Sequence, residues 1–472
     1  MKYITRFAPS PTGFLHVGGM RTAIFGYLAA KSTNGRFLLR IEDTDRERFV
    51  PEGTAYIHDC LKWMGLSYDG EVVYQSDRLH VYQEKANELL EKGRAYKCFC
   101  TKERLDNLKK NLEEAKKPPV YDRCCLALSK EDIDKKTING DPFVIRFKIP
   151  ETPEIVSWND KIRDEIKIAT NILEDFIIIK SDGWPTYNFA NIIDDHESQI
   201  NLVIRGDEFV PSTPKHILLY HAFGWEPPEF AHVPVIIGKD KAKLSKRNGD
   251  TALLDYKKKG YLPETLLNFL VLLGWNPGTT DEIFSLSELE KIFSVERIGK
   301  APAVFDTERL DWMNGIYIRN LSPEELKAKI IEFDSNFSNV SQKLLDRIII
   351  VEQSRLKTLA EFKEISGFYF TLPKYSKDML VFKKSTPEAT KKGLEAILVT
   401  LSSISDNSWL EMKIEDFNGL LSKVVEDNEL KNADVFWPVR VALSGQEKSA
   451  SPAELLWVFG KEESLKRIKN SL

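Results

Sequence analysis

The chain has 472 residues, a formal net charge of −4 at pH 7, 42% hydrophobic residues and 29% charged ones. That length predicts more than one domain, and the composition is that of a soluble globular protein, not a fibrous or disordered one. No apolar run approaches the roughly 20 residues of a membrane span, and the slight acidity excludes a generally basic surface, so any nucleic acid must be held by local patches.

The first motif stands at the N-terminus. Tyr3–Phe7 reads as a strand, and Arg6 with the prolines after it interrupts any signal-peptide pattern. Pro9 and Pro11 forbid early helix, Thr12 and Gly13 continue the turn, and Gly18 and Gly19 open a helix expected over Met20–Lys31. Strand, turn and helix N-terminus make an anion site, because the first helical amides are unpaired and carry the positive end of the dipole. His16 precedes that end, placed to donate to a phosphate oxygen or a ribose. Asn34-Gly35 turns the chain into a second strand, Arg36–Ile41, giving a β-α-β unit with a parallel pair. Ligands on such sheets bind at the carboxyl ends of strands. Glu42, Asp43 and Asp45 stand there, either as a solvated strand exit or facing a substrate ammonium.

Glu52–Met64 and Arg78–Lys92 read as amphipathic helices. Four of the five cysteines then crowd one region, Cys98-Phe-Cys100 and Cys124-Cys125. Without a secretory leader, reduced thiols and a zinc tetrahedron both stay open. Residues from about 68 to 190 break the strand–helix alternation and predict an inserted α/β module, marked by Pro118-Pro119 and by strands around Phe143–Ile149 and Asp175–Lys180. Tyr187 and Asn191 follow, then Asp194-Asp195-His196, read as a hydrogen-bonded structural cluster in preference to a metal set. Leu202–Ile204 is a strand ending at Arg205-Gly206, and His216–Phe223 a helix ending near Gly224. Val233–Ile237 is a strand delivering a loop in which Lys239, Lys241, Lys243, Lys246 and Arg247 crowd nine positions around Leu244 and Ser245. So much like charge is costly unless an anion binds. Leu262–Leu273, Leu286–Phe293 and the segment near Leu310 form a helical junction over about 250–320, with Trp312–Gly315 as its end. From 322 to 472 only helical periodicity appears, starting with Ser322 as N-cap.

The pair His16-Val-Gly-Gly19 and Lys243-Leu-Ser-Lys-Arg247 resembles the two ATP signatures of class I aminoacyl-tRNA synthetases. Arg6-Phe-Ala-Pro-Ser-Pro-Thr-Gly13, Arg40-Ile-Glu-Asp-Thr-Asp-Arg46 and Arg205-Gly-Asp-Glu208 narrow the resemblance to glutamyl-tRNA synthetases of bacterial type, over the whole chain. The resemblance implies a Rossmann-like parallel-sheet catalytic domain over 1–320, whose insertion holds the tRNA acceptor end, and an all-α anticodon-binding domain over 322–472. It implies ATP with Mg²⁺, L-glutamate and tRNA(Glu) as substrates, for an enzyme expected to be cytoplasmic and monomeric. ATP is expected on Pro9, Ser10, Thr12, Gly13, His16, Gly18, Gly19, Lys243, Leu244, Ser245, Lys246 and Arg247, of which His16, Gly18, Lys243 and Lys246 act on the phosphates. Glutamate is expected on Arg6, Ala8, Ser10, Glu42, Tyr187, Asn191 and Arg205, the arginines taking its carboxylates and Glu42 its ammonium. Some members carry zinc on Cys-x-Cys followed by Tyr-x-x-x-Cys. Here Cys98, Cys100, Tyr121 and Cys125 fit that form, while Ala127 stands where a second form needs His. The alternatives are an enzyme that also charges tRNA(Gln) with glutamate, a glutaminyl enzyme with a β-rich C-terminal region, a truncated paralogue acting on a modified nucleotide, an RNA-binding protein with a decayed site, and a small-molecule nucleotidylyltransferase.

Overall fold

The computed structural model of the protein describes residues 1–116, 120–242, 244 and 252–472, so Pro118-Pro119 lies outside the described residues. Its contacts divide the chain into two compact units, Met1–Asp255 with Leu266–Asp306, and Tyr256–Thr265 with Thr307–Leu472.

The first unit is built on strands. β1 (Ile4–Phe7) pairs in parallel with β2 (Arg36–Ile41), which pairs in parallel with the short β3 (Val73–Tyr74). Between β1 and β2 runs α1 (Val17–Ser32), whose residues from Met20 to Ala30 are almost all buried. Helix and strand approach closely because Gly26 has no side chain: its carbonyl accepts from Thr5 Oγ1 at 2.7 Å, and a Cβ there would lie 3.3 Å from Phe37. Gly35 is tighter still, since a Cβ would stand 1.8 Å from the Tyr3 carbonyl oxygen. The inserted region supplies an antiparallel sheet of β4 (Ala95–Cys98), β5 (Val144–Phe147) and β8 (Ile177–Ile179), and a hairpin of β6 (Ile155–Asp160) and β7 (Asp164–Ala169). That hairpin is not among the expected strands, although β6 alternates exposed and buried residues along its whole length.

β9 (Leu202–Gly206) lies beside β1. The Ile4 amide donates to Asn201 Oδ1 at 2.7 Å, and the Asn201 amide donates back to the Ile4 carbonyl at 3.1 Å. β10 (Glu229–Val233) pairs in parallel with β9 and continues onto β6. Pro234, lacking an amide, separates β10 from β11 (Ile236–Ile237), so the single strand expected over Val233–Ile237 is two. β11 pairs with β12 (Ala303–Val304). The parallel strands β1, β2, β9 and β10 therefore end together at Phe7, Ile41, Gly206 and Val233.

In the second unit the described residues form helices and no strand. Ser322 caps Pro323–Phe333 through a capping box with Glu325, as the sequence suggests. Trp312–Gly315, expected at the end of the helical junction, lies inside one continuous helix, Thr307–Asn320. Glycine is tolerated there for packing, a Cβ at Gly315 reaching 3.2 Å from the Leu356 carbonyl. Helix Asn432–Ser444 is not among the expected helices, its internal Pro438 masking the period. Leu345, Ile349, Phe362, Phe417, Val439 and Leu455 lie in a hydrophobic core within this unit. No described helix is long and apolar enough to cross a membrane.

Candidate active site

At the start of α1 the chain folds back on its own imidazole. His16 is the N-cap, in extended backbone, and its Nδ1 accepts the Gly18 and Gly19 amides at 3.1 and 3.4 Å. The helix thus begins at Val17, three residues before the expected start. Because Nδ1 accepts, the ring proton sits on Nε2, on an exposed side chain. Two of the amides expected to bind phosphate directly are taken by the ring, which relays the positive end of the helix outward through Nε2–H.

Around this N-terminus and the carboxyl ends of the parallel strands opens a cleft of about 1220 Å³. Pro9, Ser10, Thr12, Gly13, His16, Gly18, Gly19 and Leu244 line it, as do Arg6, Ala8, Glu42, Tyr187, Asn191 and Arg205. Every described residue expected to hold ATP or glutamate is therefore in one place. Lys243, Ser245, Lys246 and Arg247 lie outside the described residues. Of their sequence neighbours, Leu244 lines the cleft and Ala252 forms an antiparallel bridge with His16.

The floor is ionic. Arg40 donates to Glu42 at 3.0 Å and to Asp195 at 2.6 Å, and Arg6 Nε donates to Asp195 at 3.0 Å. Asp194 accepts from Gln75 at 2.7 Å, Arg78 at 2.8 Å and Tyr82 at 2.9 Å. Asp194 and Asp195 are thus a hydrogen-bonded structural pair, while His196 stacks on Trp225 away from them. Burial raises the Glu42 carboxyl above the usual range, against the pull of Arg40 and Arg6, and Asn191 Nδ2 donates to it at 3.0 Å. Asp43 accepts from the Ser76 amide and hydroxyl, whereas Asp45 lines the cleft and pairs with Arg48.

Arg205 is held differently. Its buried guanidinium donates from Nε to His232 Nε2 at 3.1 Å, from Nη1 to Tyr187 Oη at 3.4 Å and His216 Nδ1 at 3.1 Å, and from Nη2 to Thr213 Oγ1 at 2.8 Å. None of these partners is a carboxylate. Four of its five N–H groups are engaged among the described residues, leaving one on Nη2. His216 in turn bonds Asn188 at 3.0 Å, and His232 Nδ1 bonds Asp160 at 2.5 Å. Asp160, His216, His232 and Thr213 carry no signal in sequence, being single polar residues inside apolar strands and helices.

The cysteines form a second cluster. Sγ atoms of Cys98, Cys100 and Cys125 lie within 4.8 Å of one another. Tyr121 Oη is 3.3 Å from Cys98 and 3.4 Å from Cys100, and Cys124 Sγ is 3.3 Å from Cys100. Arg146 lies 4.2 Å over the Tyr121 ring, and Arg104 donates to Cys100 at 3.4 Å.

Residues 2–312 match the family model of the catalytic domain of class I tRNA synthetases (E and Q), and residues 322–472 match an anticodon binding domain. A glutamate–tRNA ligase of Clostridium botulinum is 46% identical over 99% of this chain and 97% of its own length; one of Clostridium tetani is 45% identical over the same shares. A solved glutamate tRNA ligase from Elizabethkingia meningosepticum, in complex with its amino acid, superposes with a TM-score of 0.91 at 34% identity, covering 100% of this chain and 99% of that one. With both parts of its length matched in the order those enzymes carry them, this chain belongs to the glutamyl-tRNA synthetase family of class I aminoacyl-tRNA synthetases.

Proposed function

We propose that this chain is a glutamate–tRNA ligase that activates L-glutamate with ATP and transfers it to the 3′ terminal ribose of tRNA(Glu), acting as a cytoplasmic monomer. The observation that carries the substrate is Arg205. It is a buried cation ringed by neutral groups, it lines the cleft, and one N–H on Nη2 is left over among the described residues. Such a charge is costly to bury unless the ligand brings a carboxylate, and it penalises the neutral amide of glutamine. Glu42, held at the end of β2 by Arg40 and Asn191, accepts the substrate ammonium.

The first step needs no base. The substrate α-carboxylate attacks the α-phosphorus of ATP, the bond to the bridging oxygen breaks, and pyrophosphate leaves with the electron pair. Two anions must meet, so catalysis is electrostatic and positional. His16 Nε2–H serves the phosphates from the start of α1, and Lys243 and Lys246 neutralise the β,γ oxygens. Support for that role is that their neighbour Leu244 lines the same cleft as His16 and Ala252 forms a bridge with His16. Mg²⁺ bound with ATP would supply further shielding of the phosphate charge. In the second step the ribose hydroxyl attacks the acyl carbonyl and AMP leaves. The inserted module holds the acceptor end, and the helical unit reads the anticodon.

The thiols suit zinc. Zn–S bonds of about 2.3 Å set tetrahedral sulfurs roughly 3.8 Å apart, within the spread of Cys98, Cys100 and Cys125, and Tyr121 Oη supplies a fourth donor. Against its burial, Tyr121 and Arg146 hold the Cys98 thiol below its ordinary range, while burial holds Cys100 and Cys125 above theirs, so a metal would have to displace their protons on binding. The metal would stabilise the module and take no part in the chemistry.

Nothing in the comparisons favours the broader reading in which tRNA(Gln) is charged as well. The glutaminyl rival, expected to be β-rich beyond 322, is at odds with a second unit that is helical throughout its described residues. The test is glutamate-dependent exchange of pyrophosphate into ATP, with and without tRNA(Glu). Exchange that needs glutamate and is raised by the tRNA is expected. Exchange supported equally by glutamine, or by no amino acid, would overturn the reading.

A further inference from the structure

One carboxylate in the first unit is bonded to Arg205 only through another side chain. Asp160, at the end of β6, reaches the arginine across His232, one residue before the end of β10. The geometry fixes the imidazole protons, and Thr213 Oγ1, which accepts from Arg205 Nη2, lies 3.1 Å from His232 Nε2. Arg205 only donates, so His232 Nε2 must accept at 3.1 Å, and the ring proton must lie on Nδ1, where it donates to Asp160 Oδ2 at 2.5 Å. Asp160 Oδ1 is saturated by amides, those of Ile162 and Arg163 at 3.0 Å and of His232 at 3.2 Å. These amides and the imidazole keep the carboxyl ionised: burial raises it, but the hydrogen bonds from His232 and the two loop amides win and hold it below the usual carboxylate range. On the other side His216 repeats the pattern with a neutral orienter. Its Nε2 donates to Asn188 Oδ1, so Nδ1 is free to accept from Arg205 Nη1.

We propose that Asp160 and His232 are positioning residues for amino-acid selection. Asp160 fixes the Nδ1–H tautomer of His232, and the Nε2 lone pair so exposed aims Arg205 at the side-chain carboxylate of the substrate. This rests on the reading that Arg205 takes that carboxylate. Asp160 closes β6, immediately before the β6–β7 turn of the inserted region, so the element that interrupts the catalytic sheet also orients the specificity arginine. Without the carboxylate the tautomer is lost. An asparagine in its place can donate to Nδ1, which moves the ring proton to Nε2 and sets N–H against N–H at Arg205.

Steady-state charging of tRNA(Glu) with Asp160→Asn tests the proposal. A rise of at least tenfold in the KM for L-glutamate, with the KM for ATP within about twofold of the parent enzyme, is expected. His232→Gln with Asp160 left in place should keep the glutamate KM within about threefold of the parent, because the glutamine oxygen replaces the Nε2 acceptor facing Arg205 and its NH₂ donates to Asp160 Oδ2 as the imidazole did. A glutamate KM within twofold of the parent for Asp160→Asn overturns the proposal. So does a His232→Gln variant whose glutamate KM rises as much as that of Asp160→Asn, whether the cause is packing or misfolding. Arg205→Ala separates the two claims. If it leaves the glutamate KM unchanged, the assignment of Arg205 falls and this inference with it. If it raises the glutamate KM while Asp160→Asn does not, only the inference falls.

Discussion

Arg40 and Arg205 are both buried arginines near the end of a strand, and their surroundings give them different work. Arg40 faces carboxylates, Glu42 and Asp195 directly and Asp194 at 3.8 Å. Removing one partner of a buried charge pair costs about 3–5 kcal/mol, because the others are stranded without water. Arg40→Met should therefore lower the stability of the first unit by about that amount, read from denaturant unfolding, and a change below about 1 kcal/mol would mean that water reaches the cluster. Glu42 offers a pH test. Only its ionised form accepts an ammonium, and burial has raised the pH at which it ionises. As pH falls through that raised value, Glu42 is protonated first and kcat/KM for glutamate should fall, while the KM for ATP holds. The acid limb should lie above the ordinary carboxylate range and vanish in Glu42→Gln. A limb that persists in that variant would belong to another group.

At the scale of elements, legibility followed distance along the chain. The stretch from β1 into α1 was readable because its strand, prolines, glycines and histidine are contiguous. Even there the residue order does not show that His16 Nδ1 takes the Gly18 and Gly19 amides, which depends on a side-chain rotamer. The Asp160–His232–Arg205 line joins positions 72 and 27 residues apart across three parallel strands, so no local period announces it. Helix Asn432–Ser444 was hidden for another reason: Pro438 argues locally against helix, and packing overrides it. The same packing gives a matched pair of glycine tests. In helix Pro387–Ser403, a Cβ at Gly393 would stand 2.1 Å from the Asp434 carbonyl oxygen, a backbone atom that cannot step aside. In helix Ile414–Asp427, a Cβ at Gly419 meets nothing within 4 Å. Overpacking costs about 1–3 kcal/mol, and the gain in helix propensity is about 1 kcal/mol. Gly393→Ala should thus lose about 2 kcal/mol and Gly419→Ala gain up to about 1 kcal/mol, as urea unfolding would measure. Equal effects would mean that the two helices do not approach as closely as their backbones indicate.

For the whole molecule, each of the two units has a core of its own, one beneath the parallel strands and one among helices. Two cores in one chain predict departure from two-state unfolding, hence two calorimetric transitions and not one. Ligands should tell them apart, because anything bound to the native form alone stabilises the unit that holds it. Every described residue expected to touch ATP or glutamate lies in the first unit. At about 100 times its Kd, a ligand adds about 2.7 kcal/mol. For a unit of this size that is a shift on the order of 4 °C at typical unfolding entropies. ATP with glutamate should therefore raise one transition by several degrees and leave the other in place. Arg40→Met should lower the ligand-sensitive transition, and Gly393→Ala the insensitive one. If both variants and the ligands moved a single common transition, the two cores would be energetically one, and the helical unit could not lose stability without the nucleotide cleft losing it too.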